Sequence, residues 1–170
     1  EKIAVVGATG TGKSTLLLDT LYPALMRALY NSKIETGAHD IIVKADALFA
    51  DADFSDAEML ILPGGATKLH ECKPLCDLLL KHNAEEKLIA AICAAPSVLG
   101  RLGILEGKQA TCYPGFEEYL GESYVDGLVV ESKNIISAKG PGLSADFAFC
   151  LIEKLANTEI ADQVYDAAQY

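Results

Sequence analysis

Apolar residues along the chain fall into short continuous runs, separated by longer stretches in which they recur every three or four positions. The runs at 3–6, 41–43, 59–62, 88–92, 128–130 and 135–137 have strand length. Because they do not alternate with polar residues, they predict strands buried on both faces. Stretches rich in Leu, Ala, Glu and Lys at 13–30, 74–83, 94–102, 144–155 and 159–168 predict helices. Their alternation with the strands predicts an α/β sandwich around a mainly parallel sheet. Residues 34–43 read differently, as two short strands around Gly37, which predicts a hairpin appendage. In such a sheet ligands gather at the carboxyl ends of the strands, so the residues just after each run carry the candidate chemistry.

The first run is followed by Gly7-Ala8-Thr9-Gly10-Thr11-Gly12-Lys13-Ser14, which satisfies the phosphate-loop pattern G-x-x-x-x-G-K-[ST] between a strand and a helix start. Gly7, Gly10 and Gly12 would let backbone N–H groups converge on phosphate oxygens. Lys13 would reach the β/γ-phosphates of ATP or GTP, and Ser14 would ligate Mg²⁺. A second Mg²⁺ carboxylate is harder to place, Asp46 being the one candidate. A solvated glycine turn before a helix is the alternative.

The 59–62 run ends in Pro63-Gly64-Gly65, where two glycine amides at a sheet edge could form an oxyanion hole or simply a turn. The 88–92 run leads into Cys93-Ala94-Ala95-Pro96, with alanines at 91 and 95 flanking the cysteine at two positions either side. Small residues in that spacing allow the strained strand-to-helix turn of a nucleophile elbow, with the thiolate of Cys93 stabilised at the helix start. An inert buried cysteine in an Ala-rich strand is the alternative.

Composition narrows the partners. Against 14 Lys and Arg stand 24 Asp and Glu, a formal net charge of −10, and no basic cluster interrupts the acidic balance. Nucleic acid and anionic membrane surfaces need dense positive charge and are not expected as partners. With 51% apolar residues in 170, the chain is expected to form a single domain, 1–170, whose first 33 residues carry the phosphate-loop-like unit. The longest apolar stretch, 88–99, is broken by Pro96 and too short to span a bilayer, and no leader pattern opens the sequence. Five scattered cysteines suggest reduced thiols and a cytoplasmic location. His70, Cys72 and Cys76 lie close in sequence without an evident fourth ligand, so no metal is expected and both thiols are read as exposed at a helix start. Cys112 and Cys150 read as core, and Glu117 and Glu118 as a solvated face.

Lys44-Ala45-Asp46, Leu62-Pro63-Gly64-Gly65, Ala90–Pro96 around Cys93, Thr111-Cys112-Tyr113-Pro114-Gly115 and Lys139-Gly140-Pro141-Gly142 together resemble the ThiJ/PfpI superfamily, in the branch of the parkinsonism-associated deglycase. The resemblance covers about residues 34–170. It implies a flavodoxin-like three-layer sandwich, a homodimer, no metal or organic cofactor, and an elbow cysteine that is readily oxidised. It also implies activity on small carbonyl compounds, of glyoxalase or deglycase type, or an oxidative-stress thiol sensor. Carried over by position, the nucleophile falls on Cys93 and the oxyanion amides on Gly65 and Ala94, while Gly64, Thr15, Tyr113, Lys139 and Pro141 line the pocket. Thr15 stands where this branch has a glutamate that hydrogen-bonds the cysteine, and Tyr113 where some members have a histidine. The alternative function is a phosphate or nucleotide module using the Gly7–Ser14 loop, with Cys93 non-catalytic.

Overall fold

The computed structural model describes residues 2–5, 49–65 and 68–168. The glycine loop with Gly7, Gly10, Gly12, Lys13 and Ser14, the neighbouring Thr15, the 13–30 helix, the 34–43 hairpin and Asp46 lie outside the described residues. Within them, five strands form one sheet: β1 (Lys2–Val5), β2 (Ala57–Leu62), β3 (Leu88–Ile92), β4 (Val129–Ser132) and β5 (Ile135–Ala138). Their order is β1-β2-β3-β5-β4. The β1/β2, β2/β3 and β3/β5 pairs are parallel, and β4 returns antiparallel along β5. The expected α/β architecture with a mainly parallel sheet is therefore present.

Among the described residues, four helices flank the sheet: α1 (Lys73–Ala84), α2 (Pro96–Arg101), α3 (Ser144–Leu155) and α4 (Thr158–Ala168). The continuous apolar strands are explained by what each face meets. On one face Leu60, Leu62, Ile89, Ala91 and Ile135 pack with Leu75 and Leu79 of α1 and Val98 and Leu99 of α2. On the other, Met59, Ile61, Ala90, Ile92, Ile136 and Ala138 pack with Phe147, Leu151 and Ile152 of α3 and Ala161 and Val164 of α4. Successive side chains of a strand point to opposite faces, so both positions of each pair must be apolar when helices cover both. This is the three-layer sandwich.

One element is shorter than the sequence pattern suggests. The helix expected over 94–102 begins at Pro96, because residues 93–95 form a turn in which Cys93 has φ 66°. A residue in the left-handed region cannot lie inside an α-helix, and proline, lacking an N–H, suits the first helical turn. Close packing shapes the far end of α2: a Cβ on Gly100 would clash with the Tyr119 carbonyl oxygen. The guanidinium of Arg101 lies 3.8 Å from the Tyr119 ring centre.

Candidate active site

Cys93 is the first residue after β3, and its backbone is held on both sides. Its N–H donates to the Ala138 carbonyl at 2.9 Å, and its carbonyl accepts from the Tyr113 N–H at 2.8 Å. These bonds tie the elbow to the end of β5 and to the 111–113 segment, and they hold the positive φ that places the half-buried thiol at the carboxyl edge of the sheet. Ser97 closes the turn behind it, its N–H and Oγ both donating to the Ala94 carbonyl, at 3.1 and 2.6 Å. Among the described residues, neither the Ala94 nor the Gly65 N–H has an acceptor.

Gly64 lies directly against the cysteine. A Cβ there would stand 2.6 Å from Cys93 Cβ and 3.2 Å from its Sγ. Gly65 follows with φ 79°, a conformation that favours glycine. The two glycines thus have separate reasons: the first makes room for the thiol and the second makes the turn.

The 111–113 segment forms a second wall. The Thr111 N–H donates to Ser137 Oγ at 2.9 Å, and Thr111 Oγ1 donates to the Gly127 carbonyl at 2.9 Å. Ser137 is fully buried on β5 and in turn donates to the Val130 carbonyl at 3.3 Å. Cys112 is buried, and its thiol is pushed up to about 11 by that burial, with Glu117 and the Cys93 thiol adding to the effect and Lys139 opposing it. It remains an uncharged thiol at neutral pH. Tyr113 is 45% exposed, and its ring rests against Gly140, where a Cβ would meet Cδ2 at 3.3 Å and Cε2 at 3.6 Å.

Lys139 is not a free cation in this wall. Its ammonium is 2.6 Å from Asp126 Oδ1, and that hydrogen bond raises its pKa above the usual lysine value. Pro141 is exposed and opens the 3-10 turn Pro141–Leu143. Asp126, Ser137 and Gly140 shape this end of the sheet, yet sequence reasoning gave none of them a role. Each acts through a partner remote in the chain, and a lone Asp, Ser or Gly gives no local signal of that.

Other sequence readings need correction. Cys72 is exposed just before α1, but Cys76 is buried and its thiol donates to the His70 carbonyl at 3.4 Å. It sits in the first turn on the inward side of the helix, so the two thiols do not form one exposed pair. Glu117 is half-buried rather than solvated, and accepts the Gly115 N–H at 2.7 Å. Cys150 is half-buried instead of core. Among the described residues, no group of three or more His, Cys, Asp or Glu could hold a metal ion, and no helix is long and apolar enough to cross a membrane.

The sequence and the fold have counterparts among known proteins. The family model described as DJ-1/PfpI family matches residues 13–154. The chain belongs to the DJ-1/PfpI family. The match begins well before residue 34, inside the glycine loop, so the N-terminal part lies within the family region to a greater extent than the motifs alone suggest. Protein DJ-1 homolog B of Arabidopsis thaliana is 39% identical over 132 residues, 74% of this chain, and the chain spans 30% of that relative's length. The glutathione-independent glyoxalase DJR-1.2 of Caenorhabditis elegans is 34% identical over 119 residues, covering 67% of this chain and 63% of that protein. The crystal structure of Drosophila melanogaster DJ-1beta superposes with a TM-score of 0.81 at 29% identity, over 99% of this chain and 98% of the other. The sandwich is thus the flavodoxin-like fold of DJ-1 proteins.

Proposed function

We propose that this DJ-1/PfpI protein is a cysteine-dependent enzyme of glyoxalase or deglycase type, acting on small 2-oxoaldehydes through Cys93. The observation that carries the reading is the elbow itself: a non-glycine residue held at φ 66° by hydrogen bonds to two separate segments, with Gly64 bare beneath its thiol. Strain of this kind persists only where surrounding structure over-determines it, and it concentrates at reactive positions. The name of the Caenorhabditis relative supplies the substrate class.

In the reaction we assign, the Cys93 thiolate attacks the aldehyde carbon. A C–S bond forms and the carbonyl π pair moves to oxygen, giving a hemithioacetal oxyanion that the N–H groups of Gly65 and Ala94 receive. The C1 proton then leaves and a proton is delivered to C2, converting the adduct to a 2-hydroxy thioester. Water cleaves the C–S bond, releasing a 2-hydroxy carboxylate and the free thiol. The net change is addition of one water, so no oxidant, metal or organic cofactor enters. Attack on a peroxide by the same thiol is the route to a sensing role. We further assign a homodimeric, cytoplasmic protein with no nucleic acid or membrane partner. Family membership favours this thiol chemistry over the nucleotide module. The test is methylglyoxal consumption with lactate formation: turnover is expected to fall to background in Cys93→Ser, and wild-type turnover in that variant would end the reading.

A further inference from the structure

The geometry points to Tyr113 as the residue that sets substrate preference, its ring forming an apolar platform that favours 2-oxoaldehydes with a flat, apolar substituent over those with a methyl or anionic one. This deepens the proposed reading and rests on it. Tyr113 shares the elbow's own hydrogen bond, its N–H donating to the Cys93 carbonyl at 2.8 Å. The backbone that carries it is pinned through Thr111 to Ser137 and Gly127, and the Tyr113 carbonyl accepts the Phe116 N–H at 3.2 Å. One side of the ring is seated on Gly140. That glycine has φ −175°, extended backbone that any residue adopts, so the space taken by the ring is what bars a side chain there. The residue is 45% exposed at the sheet edge where Cys93 sits. An exposed aromatic fixed in this way presents its face at little entropic cost.

Among the described residues, the Glu117 carboxylate lies near this wall, half-buried and accepting the Gly115 N–H, so an anionic substituent is disfavoured. Cys112 is buried and neutral, and the Lys139 ammonium is held by Asp126. An apolar, polarisable surface is therefore what a substrate meets beside the thiol.

The test compares alkylation of Cys93 by 2-iodo-N-phenylacetamide and by iodoacetamide, each rate read by peptide mass spectrometry and referred to exposed Cys72 in the same molecule. The phenyl reagent is expected to be favoured at Cys93. That preference should fall about 3- to 10-fold in Tyr113→Ala, the size of one aromatic contact, and persist in Tyr113→Phe. The ratio of kcat/KM for phenylglyoxal to that for methylglyoxal should fall in parallel. An unchanged alkylation ratio in Tyr113→Ala, or an equal loss in Tyr113→Phe, overturns the assignment. If the alkylation ratios behave as expected while neither aldehyde is turned over, the ring assignment stands and the glyoxalase reading fails.

Discussion

At the scale of single residues, the account turns on two positions that oppose each other in space. Cys93 is held in a conformation costly for any side chain, so Cys93→Gly should raise stability by about 1 kcal/mol while abolishing activity. Gly64→Ala should cost about 1–3 kcal/mol, because the new Cβ meets Cys93 and the cysteine must move. Combining the two should recover most of that loss, since Cys93→Gly removes the two nearest atoms and leaves only the Ile92 carbonyl oxygen at an ordinary 3.4 Å. Chemical denaturation of the four proteins in the cycle checks this, and strict additivity would mean that the glycine is required for another reason. Both residues were legible in the sequence because their signals are local: small residues flanking a cysteine at the end of an apolar run, and a Pro-Gly-Gly turn. Gly140 and Ser137 were not, because their meaning lies in Tyr113 and Thr111, which are remote in the chain.

At the scale of elements, α1 and α2 each carry a feature that patterning alone did not reveal. His82, near the end of α1, is 3% exposed, and among the described residues its Nε2 has no hydrogen-bond partner. Burial lowers its pKa, Lys87 adds to this, and a backbone hydrogen bond to Glu58 and the charge of Glu85 oppose it. The unfolded chain takes up this proton near the usual histidine value of about 6.5, and the folded chain resists it. Stability is therefore complete above that pH and is lost as pH falls below it towards the lower folded value. Urea unfolding between pH 5 and 7 should show the decline, and His82→Leu should make it shallower. An identical slope in the variant would assign the decline to other groups. For α2, Gly100→Ala should cost at least about 2 kcal/mol, because the new Cβ meets the backbone carbonyl of Tyr119, which cannot swing aside as a side chain can. A melting temperature within a degree of wild type would show that the Glu117–Tyr119 turn moves freely. Helix propensity gives no hint of this, since alanine is ordinarily the better helix former.

At the scale of the whole molecule, the helical layers on both faces of a mainly parallel sheet leave the carboxyl edge as the place where strand ends, glycine turns and the elbow converge. The strand and helix runs were readable because burial on both faces demands continuous apolar segments, and those seen at 88–92 and 144–155 match β3 and α3 residue for residue. The shortened α2 was not, because the break comes from one residue's backbone angle and not from composition. The family motifs made the thiol chemistry readable and pointed to Tyr113 and Lys139, whereas the seating of the Tyr113 ring on Gly140 and the pairing of Lys139 with Asp126 depend on tertiary contacts. The central claim is that Cys93 is the reactive, substrate-binding thiol of this fold. The most direct measurement is the rate at which dilute iodoacetamide modifies each cysteine at neutral pH, with and without methylglyoxal. The account predicts that Cys93 is modified at least about tenfold faster than Cys112 or Cys150, and is protected at aldehyde concentrations that leave exposed Cys72 unprotected. Equal rates, or protection no greater than that of Cys72, would contradict it.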